Sequence, residues 1–588
     1  MKIILLIIMT IEIVSISFSQ SDNMNQTDSL DIENRIEEQV EQSSTLDDDP
    51  TTDLIIKNNQ RDEYNISIRN RVNWNMDRSV GYIQKSYRGS QQKIYHRLKT
   101  KIGRYVSGGI LTEKDPGELY YADFLSFNIA IEDYGSLNKV VVGDYVLKTG
   151  MGLVFGDLYS MVKGSDIISP VLRKTDVARS YLSSGESGFF RGAAVEYSSD
   201  ILNITTFISH IRKSASIDST GNVTSIYSSG YFRTVNEISQ RNNLYEKMYG
   251  AHLKFNAGKR AVFGLTFSSN YYSNPIVFDD GEKSIGKSNL AYSADYIVTS
   301  SATTFFGEWA VANLTLAGVS GIKISTYNSF SVVATYRNYP YKFISLHGNP
   351  FGEKGSNENG MYLGLTAKIY QQVRLSMYGD LFRFNDLNSS KFSNTGSDIF
   401  SQIELGIDKS TLISVRYRRK KSEDNFDVFD NYGFIKSVGG EILKQQLRFN
   451  VDHSISKNLR VKGRYEYRFL KNDYLKKESG TLFMCDVVYS VSPSFFINNR
   501  AIYYKTDSFD SGIYEFERDL EGVMTQPVLY GKGLRWYILI KYKPVESVEL
   551  SAKYSNNTRD DLNKIGTGAD QLPDNIDERI GVQMDIRF

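Results

Sequence analysis

The sequence predicts an all-β chain: a large transmembrane antiparallel β-barrel of roughly 22 to 26 strands, preceded by a signal peptide and a short disordered acidic N-terminal segment. Three observations carry this. Apolar side chains recur at every second position over most of the chain beyond residue 62, giving each segment one apolar and one wet face. Past the N-terminus there is no run of about 18 apolar residues for a spanning helix, whereas a barrel strand needs only about ten residues with every second one apolar. The last segment alternates to its final residue, Val582, Met584, Ile586 and Phe588 against Gly581, Gln583, Asp585 and Arg587. Most soluble domains let a terminus fray. Here the pattern places Phe588 beside lipid and Arg587 inward, with the last strand closing onto the strand around Ile66.

The elements follow in chain order. Lys2 precedes an apolar stretch from Ile3 to Met9 that continues through Ile13 and Val14 to Phe18, with small Ser17 and Ser19 beside Gln20. Residues 1–19 therefore read as a secretory signal peptide. No cysteine lies near this site, which argues against a lipoprotein. Residues 20–61 read as an acidic, disordered periplasmic lead-in, since 21–50 hold ten acids against the single base Arg35 and little to fold around. Export followed by a barrel implies the outer membrane of a Gram-negative bacterium.

Residues 62–588 form the barrel. Tyr64, Ile66, Ile68, Val72 and Trp74 share one parity, and Ser67, Arg69, Arg71 and Asn73 the other. Ile94, Leu98, Ile102 and Val106 alternate with Lys93, Arg97, Lys99 and Lys101, and Leu125, Phe127, Ile129 and Ile131 repeat the rhythm. Further strands are expected at 189–198, 200–212, 245–257, 260–271, 288–299, 303–312, 315–325, 328–338, 360–369 and 372–384. The series continues through 397–408, 410–420, 443–455, 458–470, 480–490, 494–505, 510–519, 534–543, 546–556 and 579–588. Tight links such as Asn256-Ala257-Gly258-Lys259 and Lys543-Pro544-Val545 contrast with polar stretches at 421–437, 505–512 and 557–578. Short connections at one end and long ones at the other suit a membrane barrel. Forty tyrosines and three tryptophans supply side chains suited to the water–lipid boundaries. A propeller would show a repeat of about 40–50 residues, and none is visible.

Several phrases resemble an uncharacterised family of exported proteins from Bacteroidota and related bacteria. They are Leu111-Thr112-Glu113-Lys114-Asp115-Pro116-Gly117-Glu118, Gly143-Asp144-Tyr145 with Gly150-Met151-Gly152-Leu153, Arg191-Gly192, Gly230-Tyr231-Phe232-Arg233-Thr234 with Glu237, and Ile565-Gly566-Thr567-Gly568 with Asn575. The resemblance implies an outer-membrane barrel preceded by a periplasmic helix-hairpin-helix segment. That segment is missing here, because the acidic start leads almost directly into Asn65-Ile66-Ser67-Ile68. The charged members of these phrases, Lys114, Asp115, Glu118, Asp144, Arg191, Arg233 and Glu237, make a candidate structural network on the lumen side or at a rim. Lys114-Asp115-Pro116-Gly117 is also a strong turn phrase. Residues 157–188 lack clean alternation, and 148–188 read as an inward-folded loop or partial plug, with a surface loop or a catalytic loop as the alternatives.

Chemistry is sparsely signalled. The five histidines, His96, His210, His252, His347 and His453, are scattered, and Cys485 is the sole cysteine. Neither a metal-ligand spacing nor a cofactor loop is present, so no cofactor is expected. Ser209–His210 and Asp452–His453 are neighbours on strands and so face opposite sides. A formal net charge of +1, from 69 basic and 68 acidic residues, leaves no nucleic-acid footprint. The expected partners are outer-membrane lipid and lipopolysaccharide, the barrel-assembly machinery, and an unidentified envelope protein. Arg69, Arg71, Lys99, Lys101 and Arg104 line a positive lumen, face lipopolysaccharide phosphates, or lie on a solvated face. The sequence thus points to a non-enzymatic channel or scaffold of the outer membrane, with a hydrolase at a lumen or rim site as the competing reading.

Overall fold

The computed structural model describes residues 64–156, 163–173, 177–278, 284–326, 329–384, 395–429, 432–474 and 476–588. The expected signal peptide and acidic lead-in fall outside these.

The first strand, Tyr64–Asn75, pairs antiparallel with the last, Ile576–Arg587, so that Ile68 faces Ile586 and Val72 faces Val582. The main-chain N–H of Ile66 donates to Phe588 O at 3.0 Å and that of Phe588 to Ile66 O at 2.9 Å. This seam closes a ring of 24 antiparallel strands. Closure leaves no sheet edge, which is the condition for a β-structure in hydrocarbon.

Parity decides which side chains meet which solvent. Leu265, Tyr292, Trp309, Leu363, Leu381 and Phe483 point outward and are exposed, while their chain neighbours are inward and buried. Cys485 lies on the same outer face. The largest fully buried side chains include Arg337, Arg416, Arg418, Arg448 and Arg500. The molecule is therefore apolar outside and charged within, as a barrel in lipid requires. Exposed aromatic residues ring both ends: Tyr105, Tyr134, Phe255, Phe330, Tyr370 and Tyr542 at one, Tyr245, Tyr271, Tyr336 and Tyr503 at the other.

Both ends of the ring of strands lie at the end with short turns, for example 103–105 between Lys93–Ile102 and Val106–Lys114, and 301–302 between Ser284–Ser300 and Thr303–Ala312. The long connections emerge at the other end.

Two sequence expectations are corrected. Residues 421–437 are not a polar connection: the strands Thr411–Phe429 and Ile435–Ser454 run through them. Among the described residues, 423–429 and 435–441 pair only with one another, as a two-stranded ribbon standing beyond the wall. Glu423, Asp424, Lys436 and Glu441, of both parities, are half-buried or exposed, so alternation disappears. Residues 510–519 are not a wall strand either. Ile513–Tyr514 pairs with Val528–Leu529 and Glu517 bridges Thr525, so the stretch pairs within its own loop and lies inside the barrel.

Candidate functional site

Three long-end loops fold back against the inner wall. In the first, after the strand Leu137–Leu147, Gly150 takes φ +50° and the chain turns so that the N–H groups of Met151 and Leu153 donate to Glu308 Oε2 at 2.7 and 2.9 Å. Glu308 projects inward from the strand Thr303–Ala312. Leu153, Val154, Phe155, Ile167 and Val171 are buried with wall residues Phe207, Phe306, Tyr362 and Phe400. Apolar residues thus sit deep in a charged bore, covered by the second loop, 340–357: Gly156 N–H donates to His347 O and Asn349 N–H to Gly152 O, both at 2.9 Å.

The two loops are tied to the wall by charge. Lys163 bridges Glu353 of the second loop at 2.6 Å and Asp380 of the wall at 2.7 Å, and Lys420 also pairs with Glu353. Burial alone would raise the Glu353 carboxyl; Lys163 and Lys420 together outweigh it and hold it well below its ordinary value. Arg337 spans Glu358 and Asp380, its Nη1 2.8 Å from Asp380 Oδ1. His347 Nε2 lies 3.0 Å from Glu246 Oε1, whose other oxygen meets Lys213 at 2.6 Å.

The third loop, 507–531, carries an acid at every second position from Glu515 to Glu521. Glu515 meets Arg464 at 2.5 Å and Arg500 at 3.2 Å. Glu517 meets Arg535, and Lys553 at 3.2 Å. Asp519 meets Lys553 at 2.8 Å, and Glu521 meets Arg69 at 2.6 Å and Arg587 at 3.1 Å. A two-residue step of extended chain covers about 6.7 Å against a strand spacing of about 4.8 Å, so the acids meet successive wall strands as the loop crosses them, with Glu517 and Asp519 sharing Lys553. The alternation that resembles a strand facing lipid is a period-two match to a row of lumen cations. A run of four acids at strand spacing, Glu515 to Glu521, is the signal that sequence reasoning missed.

The residues expected to form one charge network fall into two groups. Asp144 and Arg191 pair on the outer face, not in the lumen: Arg191 Nε and Nη2 donate to Asp144 at 2.6 and 2.8 Å, and Nη2 also to Leu125 O at 2.6 Å. The ladder between Phe124–Tyr134 and Leu137–Leu147 stops at Asn128 opposite Gly143. Beyond it, the Phe127 N–H donates to Asp144 Oδ2 at 3.3 Å. Side chains here stand in for ladder bonds.

The second group meets at the long-loop end. Arg233 pairs with Asp570 at 3.0 Å and Glu237 at 3.2 Å, its guanidinium 4.7 Å from the ring centres of both Tyr87 and Tyr231. Glu237 also completes a capping box with Thr234 on the helix Val235–Ser239. Glu118 accepts from Asp115 N–H at 2.8 Å and Phe232 N–H at 3.0 Å. Lys114 Nζ donates to the carbonyls of Ser90, Gln92 and Asp115 at 2.8–3.1 Å, and Asp115 meets Lys93 at 2.6 Å. Burial, reinforced by Asp115 and Asp123, pushes the Glu118 carboxyl up to about 8; burial with Glu118 and Asp115 pushes Glu186 up to about 9. Phrases around residues 115, 233 and 570 therefore converge on one cap.

Between this cap and the third loop lies a cavity of about 420 Å³. Tyr82, Tyr87, Tyr231, Tyr504 and Tyr530 line it with Lys93, Arg233, Arg535, Arg559 and Arg579, and with Asp519, Asp570 and Asp577. Such a lining offers hydrogen bonds and ring faces to a polar solute.

Of the other histidines, His96 Nδ1 lies 2.7 Å from Asn70 Oδ1, His252 Nδ1 3.0 Å from Thr266 Oγ1, and His453 Nδ1 2.9 Å from Thr411 Oγ1. Ser209 Oγ accepts from Arg191 N–H at 3.1 Å.

No family model and no curated protein matches the chain. Solved structures of similar shape include the siderophore receptor PirA from Pseudomonas aeruginosa, at TM-score 0.44 and 8% identity, covering 90% of this chain and 81% of that one. The FrpB iron transporter from Neisseria meningitidis gives 0.43 and 10%, covering 91% and 82%. Outer-membrane expressed OmpT of Vibrio cholerae gives 0.27 and 10%, covering 67% and 100%. Likeness at these scores supports no argument about what this chain carries.

Proposed function

We propose that the chain is a non-enzymatic outer-membrane barrel of a Gram-negative bacterium that acts as a gated channel, its bore narrowed by three of its own external loops. The apolar outer wall and aromatic rings support the membrane setting, and both strand-ring ends at the short-turn side match the periplasmic side of such barrels. The single observation that carries the gate is the acid row Glu515, Glu517, Asp519 and Glu521 on its lumen cations. A barrel of this width leaves an open channel unless something fills it. The cavity under the cap is the entry site for a polar solute.

Planar-bilayer recording of the purified barrel tests this. The wild type gives small, infrequent conductance steps, and Glu515→Gln with Glu517→Gln gives large, long-lived ones. A wild type that conducts steadily as a wide pore overturns the gate, and so does a double variant as silent as the wild type. The ribbon favours a second reading, a scaffold of an envelope complex, because Phe429, Tyr432, Phe434 and Ile435 at its tip are all exposed. A partner retained through purification and lost on Phe434→Ser with Ile435→Ser would support that reading.

A further inference from the structure

Four adjacent wall strands, Phe190–Ser198, Leu202–Lys213, Leu244–Ala257 and Ala261–Val277, carry two acids, Glu196 and Glu246, and both are buried on the inner side. The outward positions at the short-turn end hold Tyr197, Leu253, Phe255 and Phe263, and no charge. At the long-loop end the same outward parity holds Arg191, His210, Arg212 and Lys247. Arg191 is taken by Asp144. The other three are exposed and lie together by register: Lys247 faces His210, and Arg212 faces Tyr245 one step nearer the loops. Among the described residues none of these three makes an ion pair.

Tyrosines fix the depth of this patch. Lys247 lies between Tyr245 and Tyr249 on its own strand and opposite Tyr271 on the next. Tyr249 and Tyr271 stack with ring centres 6.2 Å apart, and the Arg212 guanidinium lies 4.9 Å from the Tyr245 ring centre. Tyr245 and Tyr271 belong to the aromatic ring at this end, so the cations stand where hydrocarbon meets head group. Like charges gathered on one sheet face without an acid repel each other, and an anion seated among them reverses that cost.

We propose that Arg212, Lys247 and His210 bind a phosphate of lipopolysaccharide, the phosphorylated lipid of the outer leaflet, against this face of the wall. Such a site requires the outer-membrane setting proposed above, with the long loops outside, and is independent of the gate. Arginine offers a planar fork that matches phosphate oxygens, lysine a mobile point charge, and the imidazole an N–H donor. An acidic polypeptide fits less well, because at this depth its main chain would border hydrocarbon with its polar groups unsatisfied.

The test is native mass spectrometry of the full-length barrel in detergent micelles, with diphosphorylated lipid A, the anchor of lipopolysaccharide, as the probe. Wild type is expected to retain the lipid, and Arg212→Gln with Lys247→Gln to bind it about thirtyfold more weakly. Lipid A stripped of its phosphates is expected to bind wild type no better than the double variant. Heat-modified gel migration shows that the variant is folded. The site is overturned if wild type retains no lipid A, if the double variant retains it undiminished, or if wild type retains the dephosphorylated lipid equally well. Displacement of the lipid by millimolar inorganic phosphate also overturns it, by marking a site for a free anion. Protease added to intact cells reads the orientation separately. Cleavage at the exposed ribbon tip places the long loops outside, so that a failure to bind lipid then removes the phosphate site alone. An uncut ribbon overturns the orientation and the site with it.

Discussion

Arg535 and Glu517 form a two-pronged ion pair inside the barrel, with Arg535 Nη2 donating to Glu517 Oε2 at 2.9 Å, Nε donating to Oε1, and both side chains shielded from solvent. Replacing Glu517 by alanine leaves Arg535 buried without its carboxylate, a change that costs about 3–5 kcal/mol when a buried pair loses one member. The wall strands remain paired, so the expected effect is local: residues 507–531 leave the wall and become cleavable by an added protease. The charge swap Glu517→Arg with Arg535→Glu restores part of the protection.

Acid should act on the same loop in a defined window. Burial would raise the Glu517 carboxyl, but Arg535 and Lys553 outweigh it and hold it at about 2, below its ordinary value of 4.5. A depressed carboxyl contributes stability that is present above the unfolded value and is lost as pH falls through the folded one. The loop is therefore expected to stay protected down to about pH 4.5 and to detach between there and about pH 2, read by protease sensitivity against pH.

The cap has the opposite sign. Glu118 is pushed up to about 8, chiefly by burial, so its stabilising neutral form is complete below about 4.5 and is lost as pH rises through 8. Hydrogen exchange at the Asp115 and Phe232 amides is expected to quicken, beyond the intrinsic effect of base, between these values. Glu118→Gln flattens the dependence.

Gly117 takes φ +87° and a Cβ there would lie 3.1 Å from the Arg233 side chain. Gly117→Val is therefore expected to cost about 1–3 kcal/mol of backbone strain and to displace the guanidinium from between its two tyrosines. The measurement is accelerated proteolysis of 231–243, with the barrel's heat-modified migration unchanged.

Removing Phe588 deletes two main-chain hydrogen bonds to Ile66 and an exposed aromatic on the outer face. Barrel assembly, followed by the heat-modified gel shift, is expected to slow several-fold, while barrels that have closed melt within a few degrees of wild type.

Legibility followed the number of environments each segment meets. The seam between Ile68 and Ile586 was readable because a wall strand has lipid on one side and lumen on the other, which writes a period of two. The same period misled at 510–519, where the two sides are a row of arginines and the loop's own apolar packing. Residues 421–437 failed in the reverse direction, because a ribbon wet on both faces needs no alternation. Within the site, Arg233, Glu237 and Glu118 were named as one network, but Asp144 and Arg191 lie on the other side of the wall, a distinction carried by parity across Gly143. Glu308 left no local signal, since what singles it out is the distant turn at Gly150, whose N–H groups it receives.

The closing ladder from Tyr64 to Arg587 runs without any strand of the second or third loop. Container and contents are thus specified by separate stretches of chain. Insertions, deletions or recoding within 340–357 or 507–531 can alter how the bore is filled while the ring of hydrogen bonds between wall strands stays intact. The lining of the bore can drift in such a molecule at little risk to the closure of its wall.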